Sequence, residues 1–147
     1  MRIAGLFLTL ALVPAFAADD PAKSLSVKVE KNIVYSTTGD EKLRLDLASP
    51  SEGGPYPAVV LLHGGAWSMG SRTDLSKGSR GKDGKVVPSF IETIAAQGYV
   101  AVSASYRLAP KHKFPAQIED ARTVVRFLRA NAKKFNLDPE KIGAGGF

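Results

Sequence analysis

Val59-Val60-Leu61-Leu62-His63-Gly64-Gly65-Ala66-Trp67 is the stretch on which the reading of this chain turns. Ala58 to Leu62 is continuously apolar, as in a parallel strand buried on both faces, and it runs without a spacer into two glycines. A glycine has no Cβ, so its backbone can approach a ligand closely. The strand therefore predicts a buried place in a sheet, and the loop predicts a backbone surface that something else touches.

The segments on either side fit an α/β domain. Upstream, Leu25 to Ser36 alternates apolar with polar residues at Val27, Val29, Ile33 and Tyr35, as an edge strand does. Thr37-Thr38-Gly39-Asp40 is a turn cluster, and Leu43, Leu45 and Leu47 then alternate with Lys42, Arg44 and Asp46, so the two segments predict a β-hairpin. Ser49 to Pro55 reads as a loop. Downstream, residues 68–85 show no period and predict a long surface loop.

Pro88 is placed for a helix first turn, and Phe90, Ile91, Ile94 and Ala95 recur at helical spacing before Gly98, a favourable residue just past a helix end. Tyr99 to Ala104 is a second buried strand. The next helix opens near Pro115 and carries Ile118, Ala121, Val125, Leu128, Ala132 and Phe135 at steps of three and four, with Glu119, Arg122, Arg126, Arg129 and Lys133 opposite. Asn136 to Pro139 ends it, and Lys141 to Phe147 begins a further strand. Strand, helix, strand, helix, strand is the rhythm of an α/β sheet with flanking helices.

The bulk properties bound the rest. An apolar share of 44% with 23% charge is ordinary for one globular domain in a chain of 147 residues. Met1-Arg2, an apolar run from Ile3 to Val13 and the small-x-small pattern Ala15-Phe16-Ala17 predict a signal peptide over residues 1–17, followed by a linker over 18–24 and the domain over 25–147. The run is too short for the roughly 20 residues of a membrane span, so the expectation is export to the periplasm or outside the cell, with no stable membrane span after cleavage. There is no cysteine, so burial and hydrogen bonds alone must hold the fold.

Two separated histidines and no thiol predict no metal, and nothing in the chain calls for a cofactor. The net charge of +6 is thinly spread, and its densest part, Arg72, Lys77, Arg80, Lys82 and Lys85, contains no aromatic residue for stacking bases. Nucleic acid is therefore not an expected partner, and this stretch reads as a solvated loop.

Five motifs occur in order: His63-Gly64-Gly65-Ala66-Trp67, Ser105-Tyr106-Arg107-Leu108-Ala109-Pro110, Phe114-Pro115-Ala116, Glu119-Asp120-Ala121 and Gly145-Gly146-Phe147. Together they resemble the α/β-hydrolase esterases and lipases, in particular the hormone-sensitive-lipase-like and feruloyl- or acetylxylan-esterase-like enzymes with an HGG-x-W loop. The resemblance covers roughly residues 25 to 147. It implies the N-terminal half of an α/β-hydrolase sheet: an antiparallel hairpin followed by parallel strands with flanking helices.

For the site, the resemblance implies an oxyanion hole built by Gly64, Gly65 and Ala66, with the N–H groups of Gly65 and Ala66 as donors and Gly64 allowing the turn. Trp67 either lines the acyl pocket or covers the sheet. His63 is read as a residue that hydrogen-bonds backbone and fixes the loop, not as a base, and His112 as facing solvent. Arg107 and Asp120 are expected as an internal ion pair, and Gly146 as part of the turn toward a G-x-S-x-G elbow.

In that fold the triad follows the chain order Ser, Asp or Glu, His, so all three members are expected beyond Phe147. The expectation is a carboxylic-ester hydrolase whose N-terminal portion is present and whose isolated piece is inactive and aggregation-prone along its open edge strand. Its substrate would be a small-molecule or polysaccharide-linked ester. An amidase or formamidase of the same fold, and a non-catalytic binding fragment, are the alternatives; oligomeric state leaves no mark in the sequence.

Overall fold

A computed structural model describes residues 24–147. The expected signal peptide and nearly all of the linker lie outside the described residues. In chain order the elements are β1 (Val27–Thr38), β2 (Glu41–Pro50), β3 (Tyr56–Leu62), α1 (Thr73–Ser76), β4 (Ser79–Arg80), β5 (Val86–Val87), α2 (Phe90–Ala95), β6 (Val100–Ala104), α3 (Ala116–Ala130), α4 (Ala132–Phe135) and β7 (Leu137–Gly146).

Among the described residues, five strands form one mixed sheet in the order β1-β2-β6-β3-β7. β1 and β2 are the expected antiparallel hairpin at one edge, and β2 is also antiparallel to β6. β3 then lies parallel to β6 on one side and to β7 on the other, with Leu62 opposite Ala104 and Gly146. The two apolar runs thus occupy the centre, where both faces of a strand are covered.

Alternate residues of those runs go to opposite faces. Val60, Val100, Val102 and Ala104 pack with Leu45 and Leu47 beneath Val124, Leu128 and Phe135 of α3 and α4. Leu61 and Ala101 join Ala48 beneath Ile91 and Ala95 of α2. At about 25 cal/mol per Å² of apolar area removed from water, this two-sided burial is the main force holding a chain that has no cross-link.

The structure corrects three local expectations. Residues 68–85 are not one irregular loop, because they contain the helical turn α1 and the strand β4, which pairs with β5 just beyond them in a small two-stranded ribbon. Elements of two to four residues are too short to show a period. α2 starts at Phe90, two residues after Pro88, with Ser89 as its N-cap: Ser89 Oγ accepts from the Glu92 N–H, and Glu92 accepts from the Ser89 N–H at 2.8 Å, a reciprocal box that satisfies two otherwise orphan donors. Gly98 follows at φ +88°, a conformation that favours glycine.

The third correction concerns α3. Its buried residues are Ala116, Asp120, Val124 and Leu128, whereas Ile118 is exposed and Ala121 and Val125 are half-buried. The buried line is rotated relative to the expected stripe because a charged residue occupies its middle. The long helix also breaks at Asn131 before the single turn of α4.

Candidate active site

The loop after β3 is a tight turn held in unusual backbone conformations. Gly65 has φ +115°, and the next two residues, Ala66 at +48° and Trp67 at +59°, occupy the left-handed region although both carry a Cβ. Such conformations cost of order 1–3 kcal/mol each and persist only where surrounding contacts impose them. Here the Gly65 carbonyl accepts from the Ser68 and Met69 N–H groups, and the Trp67 carbonyl accepts from the Ala109 N–H at 2.8 Å. A Cβ at position 65 would strike the Met69 carbonyl, so the turn requires glycine there.

Among the described residues, the N–H groups of Gly64, Gly65 and Ala66 find no hydrogen-bond acceptor. Ala66 also lines a cavity of about 360 Å³ together with Leu62, His63, Trp67, Tyr106 and Phe147. Unpaired donors at the edge of a concave, mostly apolar space are what an anionic oxygen requires. Gly146 lines the same cavity at the end of β7, and a Cβ at Gly64 would sit 3.2 Å from the Phe147 carbonyl oxygen. The loop and the end of β7 are therefore in close backbone contact.

His63 is buried, with 2% of its surface accessible. Its Nδ1 lies 2.9 Å from the Gly64 carbonyl, which can only accept, so the proton sits on Nδ1. The ring stacks on Tyr106, centroids 4.3 Å apart and planes within 5°, and the Tyr106 hydroxyl donates to the His63 carbonyl at 2.9 Å. Burial raises the Tyr106 phenol, keeping it a donor. His63 is thus engaged with the main chain of its own loop, and Gly70 leaves room for the ring: a Cβ there would lie 2.5 Å from Nδ1.

The segment after β6 is fixed by Asp120. Its carboxylate accepts from the Arg107 N–H at 2.9 Å, from Arg107 Nε and from Arg107 Nη2 at 2.8 Å. The guanidinium is 13% and the carboxylate 4% exposed, so this pair is largely out of water. Arg107 also meets Glu119 at 3.2 Å. Tyr35 of β1 donates to the Ser105 carbonyl at 2.7 Å, and burial followed by the Asp120 charge pushes its phenol above the ordinary range.

A second buried carboxylate, Asp46 of β2, was not legible in advance. It accepts from the Asn32 N–H at 2.8 Å, from Arg72 Nε at 2.9 Å and from Ser76 Oγ at 2.5 Å. Burial alone would raise its pKa, but the hydrogen bonds from Ser76, Asn32 and Arg72 outweigh burial and hold the carboxyl below its usual value. Arg72 therefore leaves the solvated basic loop to which the sequence assigned it, and its main chain is tied to Ser103 and Ser105 at 2.8 and 3.0 Å.

His112 is also corrected. It does not simply face solvent, since its Nε2 lies 3.0 Å from the Glu41 carboxylate, and hydrogen bonds from Lys111 and then His112 lower the Glu41 pKa. Trp67 does not cover the sheet; it lines the cavity with 66% of its surface accessible. Ser105 Oγ accepts from the Arg72 N–H and Ser71 Oγ is hydrogen-bonded with Thr73, and among the described residues neither hydroxyl is hydrogen-bonded to a histidine. Among the described residues no group of His, Cys, Asp and Glu could hold a metal ion.

Residues 45–147 match the family described as BD-FAE. Esterase LipC of Mycobacterium tuberculosis is 37% identical over 92 residues, which is 63% of this chain and 20% of that protein. Carboxylesterase NlhH of the same organism is 37% identical over 90 residues, 61% of this chain and 25% of that protein. The butyrate-bound esterase of Thermogutta terrifontis superposes with a TM-score of 0.63 at 28% identity, covering 85% of this chain and 40% of the other. The chain thus spans a quarter or less of these curated relatives and two fifths of the solved structure.

Proposed function

The chain belongs to the BD-FAE family of α/β-hydrolase esterases, and from that premise we propose that it forms the N-terminal portion of an exported carboxylic-ester hydrolase working through a serine acyl-enzyme. One observation carries this reading: among the described residues the Gly65 and Ala66 N–H groups are unpaired, on a loop strained into place whose Ala66 lines the cavity. When a serine attacks the ester carbonyl, its oxygen becomes an oxyanion and these donors hold it. Donors of this kind contribute about 10²–10³ in kcat each.

The nucleophile, acid and base of the triad belong to sequence following Gly145-Gly146-Phe147, where the end of β7 faces the loop. Substrate oxygen would be held by the residues described here, and proton transfer would be done by those that follow. His63 takes no part as a base in this scheme, because its ring is buried and stacked on Tyr106 and, among the described residues, no hydroxyl is hydrogen-bonded to its Nε2.

The relatives named esterase and carboxylesterase, and the neighbour that binds butyrate, support a short acyl ester as substrate. Export through residues 1–17 points to an ester outside the cytoplasm, small or linked to a polysaccharide. The test is hydrolysis of p-nitrophenyl acetate by the protein carried through its natural downstream sequence, together with covalent labelling by a fluorophosphonate. Turnover with stoichiometric labelling is the expected result, and a folded protein that does neither overturns the proposal. N-terminal sequencing of the exported protein should begin at Ala18.

A further inference from the structure

Residues 77–87 carry four cations, Lys77, Arg80, Lys82 and Lys85, against one acid, Asp83, so half of the chain's net charge of +6 sits on this stretch. The structure gives it a definite form, the β4–β5 ribbon with a closed tip. The Gly84 N–H donates to the Gly81 carbonyl at 2.9 Å, and the Gly81 N–H donates to the Lys85 carbonyl at 2.8 Å. Asp83 accepts from the Lys85 N–H at 3.1 Å, and Arg80 Nη1 braces the turn by donating to the Gly84 carbonyl at 2.8 Å. Lys82 therefore stands at the tip.

Neighbouring acids do not neutralise the ribbon. Asp83 meets Lys85 at 3.4 Å, Asp74 is turned back to accept from the Ser71 N–H at 2.9 Å, and Glu92 is held in the cap of α2. All four cations are exposed, and among the described residues Lys77, Arg80 and Lys82 take part in no ion pair.

One face of the ribbon sets charge beside apolar surface. Arg80 pairs directly with Val86, so the two side chains rise from the same face, and Val86 is 73% exposed. A guanidinium takes a carboxylate in its planar fork, and an aliphatic surface takes the C–H face of a sugar ring. A uronic acid residue presents both. Nucleic-acid bases would call for an aromatic platform, and residues 77–87 hold none. A single exposed cation gains little from one anion in water, so the occupant must offer several carboxylates in series, as a polymer does.

The ribbon also stands next to the candidate active site. Pro88 and Ser89 lead from it into α2, whose Phe90 ring meets Phe147 edge-on at 5.7 Å, and Phe147 lines the cavity at the loop after β3.

We infer that the β4–β5 ribbon docks an acidic polysaccharide, with Arg80 and Lys82 taking its carboxylates and Val86 a ring face, and holds the polymer beside the cavity. Docking stands by itself; that the docked polymer carries the ester rests on the ester-hydrolase reading.

The experiment uses the protein with its natural downstream sequence in affinity electrophoresis through polygalacturonate, neutral xylan or duplex DNA, at about 0.15 M salt. Polygalacturonate alone should retard the wild type, and Arg80→Glu with Lys82→Glu should weaken its apparent affinity about tenfold or more. Should that variant not fold, Arg80→Gln with Lys82→Gln takes its place. A control with the same change of net charge on α3, Arg122→Glu with Arg126→Glu, should keep the retardation. Equal losses in the control, equal retardation by DNA, or no retardation by polygalacturonate overturns the inference.

Hydrolysis separates docking from chemistry. On acetylated polygalacturonate the ribbon variant should show KM raised about tenfold at unchanged kcat, while p-nitrophenyl acetate is hydrolysed as by wild type. A KM that does not move overturns the role beside the cavity. If wild type hydrolyses neither ester, the proposed function fails on its own and the electrophoresis still decides the docking.

Discussion

Two buried carboxylates hold the loops that leave the C-terminal ends of neighbouring strands, and they do so differently. Asp120 clamps one residue: it takes the main-chain N–H and the guanidinium of Arg107 together, so the segment after β6 is fixed at a single point. Asp46 gathers donors from three segments, the β1 bulge at Asn32, the Arg72 side chain and Ser76 of α1. A clamp concentrates its energy in one pair, whereas a hub spreads it over contacts that can be lost one at a time.

The comparison is tested most severely at the clamp. Asp120→Ala leaves a largely buried guanidinium unpaired and should cost about 3–5 kcal/mol, read by chemical denaturation of the protein with its natural flanking sequence. Asp46→Ala should cost less, about 2–3 kcal/mol, because Arg72 at 18% exposure can recover water. Equal losses at the two sites would erase the distinction.

Acid should sharpen it. The Asp46 carboxyl titrates below its ordinary 3.8 in the folded state. Its contribution is therefore fully present above that value and is lost as pH falls from there through the lower folded value. The stability gap between wild type and Asp46→Asn should close over that acid window, and a gap independent of pH would contradict the hub. The smallest expected effect lies outside both carboxylates: Ser89→Ala removes the cap of α2 and should cost about 1 kcal/mol, with the loops after β3 and β6 unaffected in hydrogen exchange.

The same two residues show what the sequence discloses. The central strands could be read because both faces of each are apolar, and Arg107 with Asp120 stood out as charges at the end of one core element and the start of the next. The buried line of α3 could not be read correctly, since Asp120 interrupts it and the remaining apolar residues mark a neighbouring stripe. Asp46 escaped because the Leu43, Leu45, Leu47 alternation implies a solvated opposite face, whereas α1 and α2 cover that face too. Ser89 with Glu92 was a readable signal, three residues apart, that Pro88 obscured. Of the candidate site, the loop after β3 was visible as glycine after an apolar run; the cleft wall at Phe114 and Ile118 was not, because it depends on the rotation of α3.

The order of the sheet also has a consequence in time. Thr38 meets Glu41 across a two-residue turn, whereas Leu62 meets Gly146 only after the helices α1 to α4 and the central strand β6 have been placed between them. Local pairs close fast and distant ones wait for the chain to be brought together. Amides of the hairpin should thus gain protection early in refolding, and those of β7 last, so that the strand whose end meets the loop after β3 is seated only on a sheet already formed.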